Sequence, residues 1–188
     1  MVLSKLTQEV TGALVAAIKG TDDVLSALRG AVKNQLTGVL KDAGNMATAG
    51  MDAVSDVAKG SISAASQVGA SLTDAVKETV SSLLAGVSEM GGDVLSAVSN
   101  ATKGAVSGAA EVGGNVGQVA VSAVEGVIAQ ASSFGLDVTQ ATKEALLGVV
   151  AGADEVSEEV GKNVRAALLS AASLPKDIVE RVVKGSES

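Results

Sequence analysis

The 188-residue chain has no cysteine, histidine, tryptophan or tyrosine, and only one phenylalanine (Phe134) and one proline (Pro175). Without cysteine there is no disulfide and no thiolate metal site. Without histidine or cysteine, the commonest general base, the thiolate nucleophile and the usual zinc ligands are missing. The sequence therefore predicts no enzyme, no catalytic residue, no metal and no cofactor. Scarce aromatics also argue against an ordinary layered core, which draws much of its buried area from them. What remains is Val, Ala, Leu and Ile with 22 interspersed glycines, a set that suits closely approaching helices. Apolar residues make up 47% of the chain, too large a share for a disordered segment.

Positive charge and long apolar runs are scarce as well. Fourteen Lys and Arg against 21 Asp and Glu leave a net charge of −7. Phosphate binding needs clustered cations, so nucleic acid is not an expected partner. The longest uncharged stretch, Gly60 to Thr73, has 14 residues and is too short to span a bilayer. Lys5 and Glu9 precede the short uncharged run Val10 to Ile18, which does not read as a signal peptide. A cytoplasmic location is the expectation.

The positive signal is a period. Cut every 22 residues from Leu3, the chain falls into eight blocks ending at Ile178, and each block is two related eleven-residue units. Eleven residues in three turns is 3.67 per turn, slightly above the 3.6 of a straight helix, so an apolar stripe drifts with a right-handed sense. Projected on eleven angular sectors, 32 of the 35 charged residues fall in five adjacent ones. Only Glu9, Arg29 and Asp42 break the rule, all in the first two blocks. The other six sectors form an apolar arc of about half the circumference.

The ladder Val94, Val98, Ala101, Ala105, Ala109, Val112, Val116 crosses Gly113-Gly114 without a phase slip. That continuity predicts an all-α protein built on one long continuous amphipathic helix. So wide an arc needs covering, and the expected solution is a right-handed coiled-coil homo-oligomer, a tetramer by the width of the face. Its core would hold these seven residues with Val138, Val156, Val160 and Val164. The alternative is a back-folded multi-helix bundle. Gly69, Gly91, Gly113 and Gly135 recur every 22 residues and could each end one helix before a cap for the next. In a continuous helix, Gly104-Ala-Val-Ser-Gly108 and Gly148-Val-Val-Ala-Gly152 would instead let backbones approach. Three regions follow: a repeat region over 3–174, with its last block running to 178, a short helix over 175–184 after the break at Pro175, and a frayed tail over 185–188.

These blocks resemble the eleven-residue (hendecad) coiled coils, and the resemblance implies oligomerised helices in a right-handed supercoil. GAVSGAAEVGG, GVIAQASSFGL and GVVAGADEVSE are also similar to synuclein and perilipin repeats, which implies amphipathic helices on lipid surfaces. No block carries the synuclein KTKEGV core, and net acidity departs from basic lipid-facing edges. The expected role is a structural rod, spacer or filament component whose partner is itself. The alternative is a reversible lipid-surface or lipid-droplet coat. Asp154, Glu155, Glu158 and Glu159 form the densest acidic cluster, read as a solvated face rather than a cation site. Phe134 is read as a core filler.

Overall fold

The computed structural model describes residues 2–20, 23–43 and 48–186. Among these lie nine α-helices: α1 (Val2–Ile18), α2 (Val24–Ala43), α3 (Thr48–Gln67), α4 (Leu72–Glu89), α5 (Val94–Glu111), α6 (Val116–Ala131), α7 (Val138–Val156), α8 (Glu158–Ser170) and α9 (Lys176–Ser186). A 3-10 turn, Ser132–Phe134, extends α6. The all-α class holds, but the long continuous helix does not. The chain is a back-folded bundle of separate helices.

The glycines make the turns. Gly69, Gly91, Gly113 and Gly135 all have φ between 68° and 75°, a left-handed conformation that only glycine adopts freely. After α4, the Gly91 N–H donates to the Ser88 carbonyl (3.1 Å) and the Gly92 N–H to the Val87 carbonyl (2.9 Å). This is the Schellman arrangement, and it satisfies carbonyls that a helix end leaves open. Two residues past each glycine stands the next N-cap: Ser71, Asp93, Asn115 and Asp137 accept from the backbone N–H three residues on. The Asp93 carboxyl is held below its usual range by the Ser96 hydroxyl and then by the Ser96 N–H.

Phase continuity misled because it has two causes. A continuous helix keeps phase, but so does a tandem repeat whose turns all have one length. Over an 18-residue helix a 3.67 period drifts only about 33° from a 3.6 period. A helix this short absorbs that drift without any supercoil.

Each helix packs against the next in sequence and, two steps on, against a helix of its own parity. Helices α1, α3, α5, α7 and α9 thus form one layer, and α2, α4, α6 and α8 the other. Helix α5 touches α3, α4, α6 and α7. Four neighbours within one chain account for the half-circumference apolar arc that suggested a multi-stranded coil. The repeat slips near the N-terminus, where Gly20, also left-handed, precedes Gly69 by 49 residues rather than 44. Glu9, Arg29 and Asp42, the charges out of phase, all lie ahead of that slip.

The C-terminal end, from Ser157 onward, departs from the pattern. Ser157, fully extended, is the one residue between α7 and α8, and its side chain caps α8 by accepting from the Val160 N–H. Helix α8 stops at Ser170, ahead of the break expected at Pro175. The Pro175 carbonyl then accepts from the Ile178 and Val179 N–H groups as α9 begins. Of the expected tail, residues 185 and 186 belong to α9, while 187 and 188 lie outside the described residues.

Candidate functional site

The odd layer is built on glycine. A Cβ at Gly104 of α5 would run into the Ser55 carbonyl of α3, and one at Gly108 would lie 2.8 Å from the Lys59 carbonyl. Forty-four residues later the same contacts recur: a Cβ at Gly148 of α7 would strike the Ser99 carbonyl of α5, and one at Gly152 would lie 2.6 Å from the Lys103 carbonyl. Backbone meets backbone here, and at Gly148 the Thr102 hydroxyl stands in the way as well. The Thr102 hydroxyl donates to Val98 (2.9 Å) and reaches the Ala145 carbonyl of α7 at 3.3 Å.

Ion pairs run along both layers, in the odd layer with the same spacing. Lys59 pairs with Glu111 and Lys103 with Glu155, both at 2.6 Å and both joining α3 to α5 or α5 to α7. In the even layer, Arg29 grips Glu78 with two hydrogen bonds (2.7 and 2.9 Å), and Lys77 meets Glu125 at 3.0 Å. The Ser173 hydroxyl donates to Glu125 at 2.6 Å and, ahead of Lys77, lowers its pKa. Exposed pairs of this kind are worth about 0–1 kcal/mol each, so they set register more than stability.

One carboxyl is poorly provided for. Asp56 of α3 is 8% exposed. Its Oδ1 accepts from the Thr7 hydroxyl at 3.3 Å, while Oδ2 is buried without a hydrogen-bond partner. Burial raises its pKa, opposed by the Thr7 hydrogen bond and by Lys59.

The acidic cluster is dispersed by pairing. Asp154 takes two hydrogen bonds from Arg165 (2.7 and 2.6 Å), Glu155 belongs to Lys103, and Glu158 meets Lys162 at 2.6 Å. Among the described residues, no group of three or more acidic side chains is placed to hold a metal ion.

The residues expected to form an oligomer core occupy several environments. Val98, Ala101, Ala105, Ala109 and Val164 are fully buried inside this single chain. Val94, Val112, Val116 and Val160 are half-buried. Val138 and Val156, at the two ends of α7, are 39% and 44% exposed. Phe134 is half-buried against the core.

The feature that sequence reasoning missed is a groove of about 540 Å³ between α7 and α9. Thr139, Lys143 and Leu147 line it from α7, and Ile178, Arg181, Val182 and Gly185 from α9. A signal was present in the repeat. Stepping 44 residues from Lys59 to Lys103 leads next to Leu147, where an apolar side chain, 38% exposed, replaces the cation. No known protein family matches this sequence, and no curated protein matches it. Among the described residues, no helix is long and apolar enough to cross a membrane.

Proposed function

We propose that the protein is a non-catalytic structural element, a stacked-helix spacer or scaffold. The observation that supports this most is the reuse of one interface. The glycine-to-carbonyl contact and the Lys–Glu pair that join α3 to α5 join α5 to α7 again at the same spacing. Such arrays are quasi-one-dimensional, with each unit stabilised by its neighbours, so length is the property they vary most easily. The apolar arc that called for partner chains finds its partners inside this chain, so the spacer reading does not need a four-stranded rod.

Deletion of residues 70–113 tests it. The cut removes α4 and α5 and rejoins α3 to α6 across an equivalent turn. A spacer should refold cooperatively, with its maximum dimension in X-ray scattering shorter by roughly 8–10 Å, one helix spacing per layer. Loss of folding would overturn the modular reading. A native particle of several chains and about 280 Å, the length of one unbroken helix, would restore the coiled-coil rod.

The lipid-coat alternative has one structural point in its favour. Among the described residues, the exposed large apolar ones, Val138, Leu147, Val156 and Leu169, all belong to α7 and α8. The wide helix faces themselves are buried, so coating a droplet would require the array to open.

A further inference from the structure

The groove between α7 and α9 has a physical cause. The earlier odd-layer pairs close on glycine: Gly60 against α1, Gly104 and Gly108 against α3, Gly148 and Gly152 against α5. Helix α9 takes the next place in that layer, packing on α7 and α8. It brings Ile178, Arg181 and Val182 to the groove, with Gly185 only at its far end. Bulky side chains hold it off α7, and the space left is apolar along Leu147, Ile178 and Val182.

Two cations line this apolar space. Lys59 and Lys103, cations of the earlier odd helices, each have a glutamate from the next odd helix. Lys143 and Arg181 have no ion-pair partner among the described residues, although Glu144, Asp177 and Glu180 lie on the same two helices. Glu180 is taken up by Lys184. An apolar wall beside two unanswered positive charges complements an amphiphile with an anionic head. The size favours a small amphiphile over a docked helix. A helix about 10 Å across fills roughly 420 Å³ per turn, so the groove would hold little more than one turn. The α7 wall from Thr139 to Leu147 runs about 12 Å, eight residues at 1.5 Å, enough for a medium-length alkyl chain.

We propose that this groove binds a monomeric medium-chain carboxylate, its alkyl chain along Leu147, Ile178 and Val182 and its head between Lys143 and Arg181. This goes beyond the structural role and does not depend on it. The test titrates the isotope-labelled full chain with octanoate, decanoate and dodecanoate below their micelle concentrations, following backbone amides by NMR. Shifts should concentrate in α7 and α9, with affinity rising about fourfold per added methylene, as ~0.8 kcal/mol per buried CH2 implies. The Lys143→Gln/Arg181→Gln protein should bind dodecanoate at least tenfold more weakly and dodecanol unchanged. Leu147→Asp should abolish both. Both variants alter exposed positions, and their melting curves are to be compared with that of the native protein to check that the fold is kept. Shifts spread over all helices, equal affinity of the native protein for dodecanol and dodecanoate, or undiminished dodecanoate binding by the double variant would each overturn the proposal.

Discussion

The two layers are made from the same 22-residue unit yet are held together differently. In the odd layer, glycine brings backbone against backbone: Gly104 on the Ser55 carbonyl, Gly148 on the Ser99 carbonyl. In the even layer, side chains keep the helices apart. A Cβ at Gly126 of α6 would sit 3.4–3.8 Å from Lys77, an ordinary contact, and one at Gly86 would meet only the Leu36 side chain. Leu28, Leu36, Leu83 and Leu84 fill the even layer's core. Glycine is therefore indispensable at Gly104 and Gly148 and replaceable at Gly126. What decides is whether the atom opposite is a carbonyl or a movable side chain.

The sharpest way to break that comparison is to give both layers a Cβ. Gly104→Val should destabilise by about 3 kcal/mol or more, because overpacking against a fixed backbone forces α3 and α5 apart. Gly126→Ala should be neutral or stabilising by up to about 1 kcal/mol, since contact is ordinary and alanine favours the helix. Chemical denaturation of the two variants measures both. Equal effects would show that the layers pack alike.

A turn glycine gives the next effect, and its sign separates two architectures. Gly113→Ala should cost about 1–2 kcal/mol, because φ at this residue is +70° and alanine resists that conformation. In a continuous helix the same change would instead stabilise by about 1 kcal/mol. A raised melting temperature for Gly113→Ala would return the chain to the coiled-coil reading.

The amphipathic helices and their polar stripe were legible because burial imposes the 3.6 period wherever helices pack. The turns were half-legible. Gly113-Gly114-Asn115 spells a C′ glycine followed by an N-cap, but an unbroken ladder from Val94 to Val116 spoke for continuity. Sequence periodicity cannot tell a phase kept by hydrogen bonds from one kept by repeated turns of fixed length. Ser157 shows the converse: no glycine or proline marks it, yet one extended serine separates α7 from α8. Of the terminal groove, only the replacement of a repeated lysine by Leu147 could be read beforehand. Its other wall depends on where Pro175 sends α9, which local residues do not specify.

A smaller effect concerns the α1–α3 contact, where Asp56 is buried, whereas Asn100 and Glu144, its counterparts 44 and 88 residues on, are half-buried. Its pKa is raised by burial. Below the unfolded pKa both states are protonated and nothing is lost. As pH rises through the folded value, ionising the buried carboxyl costs stability. Asp56→Asn should therefore stabilise at pH 7, by on the order of 1 kcal/mol, with the gain vanishing near pH 3. A pH-independent difference would assign the effect to the side chain's shape instead of its charge.

The smallest effect separates the ion pairs of the two layers. Lys103→Met removes the odd-layer pair with Glu155 and should cost less than about 1 kcal/mol, fading in molar salt as screening shortens the reach of the charges. Among the described residues Glu155 has no second ion-pair partner to alter that outcome, whereas Glu125 in the even layer also accepts from Ser173, its strongest pKa-lowering contact. A depressed carboxyl contributes stability above its unfolded pKa and loses it as pH falls through the folded value. Ser173→Ala should therefore lower stability at pH 7 and leave it unchanged well below pH 4, and high salt should not rescue it, because a hydroxyl donor carries no net charge to screen. If salt erased the Ser173→Ala difference as fully as it erases that of Lys103→Met, both layers would be tied by charge alone, and the contrast between them would rest on glycine only.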